Sequence, residues 1–322
     1  MPKNTAFAFD LDGVLMKGNA ALPHAKTVVN FLKADRTPFI FLTNGGGKTE
    51  SEKLEDLGLL FDCKFSTQQL VQSHTPFLDL VPEYGSKPVL VIGGSNDSIR
   101  ELAAKYGFRK VLTSSDIYKK DDTRNPFAQM TAQKHPKYGR LHGSLPHGDF
   151  EERCPKMSIV KRERIAAILV WSSPSDWYFD IQVIKDLLLS TEGKIGTRSR
   201  KNGDANFENY GYQQDGQPPL FVSNNDFEWP TDKSQQPSAQ GSFIAALKSI
   251  WAEETKNRAP LEYTCYGKPT QLAYELAERK LVEYNDLVLG KPEDIDTIYM
   301  IGDNPDMDMK GTVSFKSPRG LP

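Results

Sequence analysis

Apolar and polar positions alternate in two rhythms along this chain. Ala6 to Phe9 is a short apolar run that stops at Asp10, and from His24 onward Ala25, Val28, Val29 and Leu32 recur at the spacing of one helix face. Pro38 to Leu42 is a second apolar run. Val89 to Ile92, Ile165 to Val170, Leu220 to Val222 and Ile298 to Ile301 read as further strands. Between them, Ile99, Leu102 and Ala103 mark one amphipathic helix. Phe243, Ile244, Leu247, Ile250 and Trp251 mark a second, and Leu272, Ala273, Leu276, Ala277 and Leu281 a third. Strands that alternate with helices predict an α/β fold built on a parallel sheet. Lys119 to Arg164 and Glu192 to Pro219 break both rhythms and read as polar loops or insertions.

Composition narrows the partners. The 322 residues carry 40 Lys and Arg against 42 Asp and Glu, a net charge of −2, which lacks the basic footprint of a nucleic-acid binder. No apolar run approaches the roughly 20 residues that cross a bilayer, so neither nucleic acid nor membrane is expected as a partner. Cys63, Cys154 and Cys265 show no ligand spacing and read as ordinary thiols. His142 and His147 read as surface residues. The five residues before the first strand are too short for a presequence, which makes the cytoplasm the literal reading.

The chemistry lies at the ends of the apolar runs, where open parallel sheets bind ligands. Asp10-Leu11-Asp12-Gly13 sets two carboxylates two residues apart directly after the first strand. Thr43-Asn44-Gly45 follows the second, where a hydroxyl and free backbone N–H groups can hold phosphate oxygens. Gly45 to Thr49 spells Gly-Gly-Gly-Lys-Thr but lacks the glycine that a nucleotide-binding loop needs at position 42, where Leu42 stands. Gly267-Lys268-Pro269 precedes a helix. Gly302-Asp303-Asn304-Pro305-Asp306-Met307-Asp308 follows the last strand, and its acids can join Asp10 around a hard divalent ion such as Mg2+.

In this order the four pieces resemble the motifs of the haloacid dehalogenase superfamily. Together with Gln72-Ser73-His74-Thr75-Pro76, Asp176-Trp177 and Ser223-Asn224-Asn225-Asp226, they are similar to its cap-bearing subclass IIA, and within it to the cat eye syndrome critical region family of hydrolase-like proteins. The resemblance implies a Rossmann-like parallel core in residues 1–84 and 263–322, interrupted by a large α/β cap in residues 85–262. It implies a Mg2+-dependent phosphatase for a small phosphorylated metabolite. Asp10 would be the nucleophile that becomes an aspartyl-phosphate, and Asp12 the general acid and base. Thr43, Asn44, Gly45 and Lys268 would bind the phosphoryl group, with Lys268 also serving the chemistry. Asp10, Asp12 through its carbonyl, Asp303 and Asp308 would hold the metal, and Asn224, Asn225 and Asp226 would reach the substrate from the cap. The mitochondrion is the compartment that the likeness suggests, and a homodimer through the cap is compatible with it.

Two departures qualify the resemblance. Relatives continue after the last acidic motif into a strand of the Leu-Val-x-Thr-Gly kind, whereas Met309 to Pro322 is polar and broken by Pro318 and Gly320. The expectation is a missing edge strand, as in a truncated or misspliced product. Relatives also tend to carry an Asp before the proline where Ser172-Ser173-Pro174 stands. Two rival readings stay open: a catalytically inactive binding or scaffold protein, and a phosphotransferase to an acceptor other than water.

Overall fold

The computed structural model describes residues 4–94, 97–120, 137–140, 164–231, 234–290 and 295–320. Most of the polar segment from Lys119 to Arg164 lies outside them, with Cys154, His142 and His147. In chain order the strands are β1 (Thr5–Phe9), β2 (Met16–Lys17), β3 (Ala20–Ala21), β4 (Phe39–Thr43), β5 (Leu70–Gln72), β6 (Pro88–Gly94), β7 (Lys110–Leu112), β8 (Ala167–Pro174), β9 (Leu220–Val222), β10 (Thr264–Cys265) and β11 (Thr297–Ile301). The helices are α1 (Ala25–Ala34), α2 (Glu50–Phe61), α3 (Val81–Tyr84), α4 (Ser98–Tyr106), α5 (Ser114–Lys120), α6 (Trp177–Leu188), α7 (Gln240–Glu254), α8 (Gln271–Glu283) and α9 (Lys310–Ser314).

The chain divides into two compact units, one of Met1–Pro76, Ser223–Gly241 and Cys265–Pro322, the other of Phe77–Val222 and Ser242–Thr264. Apart from residues 263 and 264, which fall in the second unit, this division differs from the sequence-based boundaries in two places. The first unit ends at Pro76 rather than at residue 84, because Phe77 is buried against Trp171 of the second unit, ring centroids 5.0 Å apart. Residues 223–241, expected in the inserted domain, belong to the first unit, where Asn224 and Asp226 hydrogen-bond to Asn44.

The first unit is built on a four-stranded sheet in the order β11-β1-β4-β5. All three pairings are parallel, with Phe9 opposite Ile301 and Phe41 opposite Leu70. Both faces of β4 are covered, which is why its sequence is apolar throughout rather than alternating. Phe39 and Phe41 point into a layer with Val29, Leu57 and Phe61, while Ile40 and Leu42 meet Tyr274, Ala277 and Leu281 of α8. A capping box starts α2: the Thr49 hydroxyl accepts the Glu52 N–H, and the Glu52 carboxylate accepts the Thr49 N–H. Among the described residues no strand follows β11, which forms one edge of this sheet. Its Tyr299 is partly exposed and stacks on Phe7.

The second unit carries a five-stranded sheet in the order β10-β9-β8-β6-β7, with β7, β6, β8 and β9 mutually parallel. Leu90, Ile168, Phe179, Ile184, Leu247 and Trp251 fill one layer of its core. β8 runs four residues past the predicted Val170, through the buried Trp171, to Pro174, which pairs with Gly94. Arg100 is fully buried here and is balanced by Asp97 at 2.7 Å and Asp116 at 2.8 Å.

Candidate active site

Parallel strands place their carboxyl ends on one edge of the sheet, so the residues that follow β1, β4, β5 and β11 gather there. Asp10 follows β1 and is tied to the neighbouring strand, its N–H donating to the Ile301 carbonyl at 2.9 Å. The chain then turns sharply. The Leu11 carbonyl accepts the N–H groups of Val14, Leu15 and Met16, and Gly13, at φ 87°, donates to the Met16 carbonyl. Gly13 is required twice over, since its backbone is left-handed and a Cβ there would lie 2.0 Å from Asp303 Oδ2.

One carboxylate oxygen from each of Asp10, Asp303 and Asp308 lies within 4.8 Å of the others. Asp10 and Asp308 are buried and Asp303 is exposed. Lys268 stands against the buried pair: its Nζ donates to Asp10 Oδ1 at 2.8 Å and to Asp308 Oδ1 at 2.6 Å. The second Asp308 oxygen accepts the Asn304 N–H at 3.1 Å. Tyr274 secures this turn from α8, its hydroxyl bonding the carbonyls of Met307 and Asp308. Asp306, the extra acid of this segment, is exposed.

The electrostatics leave the carboxylates under-compensated. Burial raises Asp10 from its ordinary value to about 7, against the opposing pull of Lys268 and with Asp308 adding to the rise. Burial also raises Asp12, with Lys53 and Lys268 opposing. Burial alone would lower the Lys268 ammonium, but Asp10 and Asp308 hold it above its usual range. One ammonium cannot balance this many acids. The oxygen-only donors Asp10, Asp303 and Asp308, with their excess negative charge, fit a hard divalent cation. The Asp12 side chain is not part of that trio.

The loop after β4 completes the site. Thr43 is buried, and its hydroxyl oxygen accepts the Gly45 N–H at 2.9 Å, leaving its own proton to donate. A Cβ on Gly45 would be 3.2 Å from Thr43 Oγ1 and 3.6 Å from Asp12 Oδ2, so the backbone passes close to both. The Asn44 side chain is already engaged. Its Oδ1 accepts the Lys268 N–H at 2.8 Å, and its Nδ2 donates to the Lys268 carbonyl at 3.1 Å and to Asp226 Oδ1 at 2.8 Å. Of Asn44, the backbone N–H is left for a ligand. Asn224 donates in turn to the Asn44 carbonyl at 3.1 Å. Asn224 and Asp226 therefore brace the loop after β4 from within the same unit, and burial raises the Asp226 carboxyl. The Asn225 carbonyl lies against Gly241, where the Cβ of any replacing residue would meet it.

One group was not singled out as functional from the sequence. Gln72 ends β5 and Ser73, His74 and Thr75 follow it; all four are buried beneath the same loop, where Gly47 donates its N–H to His74 Nε2 at 3.2 Å. The signal was four polar residues directly after the apolar Leu70-Val71, too short a run to stand out as a strand.

Residues 7–109 match the family model described as haloacid dehalogenase-like hydrolase. A mitochondrial hydrolase of Saccharomyces cerevisiae is 29% identical over 97% of this chain and 85% of its own length. A cardiolipin synthase and mitochondrial hydrolase fusion protein of Schizosaccharomyces pombe is 32% identical over 97% of this chain and 47% of its own length. Among solved structures, a glycerol phosphate phosphatase of Mycobacterium tuberculosis in complex with magnesium superposes with a TM-score of 0.53 at 15% identity, covering 97% of this chain and 65% of that one. With carboxylates, lysine and threonine gathered at the strand ends of a parallel sheet, residues 7–109 carry the haloacid dehalogenase-like hydrolase pattern, and the chain as a whole is similar to hydrolases of that kind.

Proposed function

We propose that the protein is a Mg2+-dependent phosphatase that hydrolyses a small phosphorylated metabolite through a phosphoaspartate on Asp10. The observation that carries this reading is the Lys268 ammonium held between Asp10 and Asp308, with Thr43 and the glycine loop at the same sheet edge. An oxygen of Asp10 attacks phosphorus while the bond to the leaving oxygen breaks, and Asp12 gives that oxygen its proton. Asp12 then takes a proton from the water that attacks the phosphoaspartate, which frees phosphate and restores Asp10. The Thr43 hydroxyl and the backbone N–H groups of the loop donate to the phosphoryl oxygens, and Lys268 offsets the charge that builds on them. Mg2+, held by Asp10, Asp303 and Asp308 with the Asp12 carbonyl, would screen the phosphoryl charge from the carboxylates.

The solved phosphatase in complex with magnesium supports the choice of metal, and the two yeast relatives, both named mitochondrial, support that compartment. The test is release of phosphate from an aryl phosphate and a panel of phosphorylated metabolites, with Mg2+ or with EDTA. Activity that disappears in EDTA and in a folded Asp10→Asn variant establishes the reaction. A folded wild type inert toward the whole panel rejects it, and phosphate that appears on an added alcohol rather than free identifies a phosphotransferase.

A further inference from the structure

The loop from Thr43 to Gly47 contains three consecutive glycines, a sequence with little conformational preference of its own. Something outside the loop must hold its N–H groups in place if they are to receive a phosphoryl group. The segment from the end of β5 onward does this residue by residue. Gln72 donates its side-chain amide to the Lys48 carbonyl at 3.0 Å. Asn224 links Ser73 Oγ, at 3.4 Å, to the Asn44 carbonyl. Thr75 donates its hydroxyl to Glu50 at 2.7 Å and accepts the Gln72 N–H at 2.9 Å.

His74 makes the central contact. It is wholly buried, and its Nε2 accepts the Gly47 N–H, which requires a neutral ring with the proton on Nδ1. Burial keeps it neutral by lowering its pKa to about 4, against the opposing charge of Glu50. The ring is also a wall: a Cβ at Gly46 would stand 2.6 Å from His74 Cδ2. The imidazole thus fixes one glycine by a hydrogen bond and excludes a side chain from the next.

We propose that His74 is a positioning residue of the phosphate loop, acting through the Gly47 N–H and the face of Gly46 without touching substrate. This deepens the phosphatase reading and rests on it for its kinetic part. His74→Leu keeps bulk but removes the acceptor, whereas His74→Gln can return an acceptor oxygen to the place of Nε2. Each variant is read by kcat/KM on an aryl phosphate, by inhibition with orthovanadate, and by hydrogen–deuterium exchange of the peptide spanning residues 44–50.

His74→Leu is expected to lower kcat/KM by about ten- to a hundredfold. It should weaken vanadate inhibition by a similar factor and speed exchange in that peptide while the rest of the first unit stays protected. His74→Gln should recover most of each loss. Should His74→Leu fail to fold, Gly46→Ala, which drives a Cβ into the ring, must produce the same pattern. Folded variants with unchanged exchange in residues 44–50 overturn the proposal. So does a loss of stability shared equally by Leu and Gln with unaltered kcat/KM. Because exchange needs no turnover, a wild type without phosphatase activity would reject the functional reading and leave the positioning role to be decided by exchange.

Discussion

A Cβ placed on Gly13 would reach to 2.0 Å from Asp303 Oδ2, so the turn after Asp10 and the acid after the last strand share one small volume. Gly13→Ala must therefore push Asp303 away as well as strain a backbone held at φ 87°. The expected result is a tenfold or greater rise in the Mg2+ concentration needed for half-maximal activity, read by titrating the metal at saturating substrate.

The burial of Asp10 gives a pH-dependent stability in metal-free protein. Its folded pKa of about 7 lies above the ordinary value of 3.8, so the folded state holds this proton more tightly than the unfolded state. The stabilisation it gives is complete below about pH 4 and is lost as pH rises through 7. Asp10→Asn has no such proton to lose. In EDTA at pH 8 it should be more stable than the wild type by a few kcal/mol, and below about pH 4 the two should converge. Denaturant midpoints at the two pH values decide this, and a wild type more stable than Asp10→Asn at pH 8 would contradict it.

His74 carries the opposite sign. Its folded pKa, about 4, lies below the usual 6.5, so the unfolded state takes up its proton first. Its contribution is present above pH 6.5 and fades as pH falls through 4. Relative to His74→Gln, the wild type should lose on the order of a few kcal/mol over that window. Urea midpoints for both proteins between pH 7 and pH 4 measure the difference.

Removing the lysine should be harsher than neutralising Asp10. Lys268→Met leaves Asp10 and Asp308 buried without their common partner, a change of the kind that costs roughly 3–5 kcal/mol. Thermal denaturation in EDTA should show the loss, and saturating Mg2+ should restore part of it by supplying positive charge. A melting temperature unchanged by Lys268→Met would contradict this pairing.

Asn44→Ala should act at a distance. It deletes three side-chain hydrogen bonds, worth roughly 1 kcal/mol each, and leaves the buried Lys268 backbone unsatisfied. We expect kcat/KM to fall by about ten- to a hundredfold through a displaced Lys268, with a smaller loss for Asp226→Asn, which keeps an oxygen for the Asn44 amide. Steady-state kinetics on both variants separates the two effects.

Much of the site can be read along the chain because of where its groups stand. Asp10, Thr43 and Asp303 each follow an apolar run long enough to announce a buried strand, and in a parallel sheet those runs end together. Asp308 was legible as an acid but not as the second partner of Lys268, since that contact joins residues 40 apart. The placement of residues 223–241 was missed for the same reason. Asn44 and Asp226 are separated by 182 residues, and no local periodicity encodes such a bond. β5 has only three residues and shows too little alternation to mark where His74 sits. Short strands and long-range polar contacts are settled by packing, not by spacing.

The pairing of β1 with β11 has a metric consequence. Neighbouring strands lie about 4.7–4.9 Å apart, so the pairing itself brings together Asp10 and Asp303, which stand just beyond the ends of β1 and β11. With Phe9 opposite Ile301, the pleated ladder governs how near Asp303 stands to Asp10, while Asp308 reaches them from the turn that follows. A slip of one residue between these strands would carry Asp303 out of range while leaving every acid in the sequence intact.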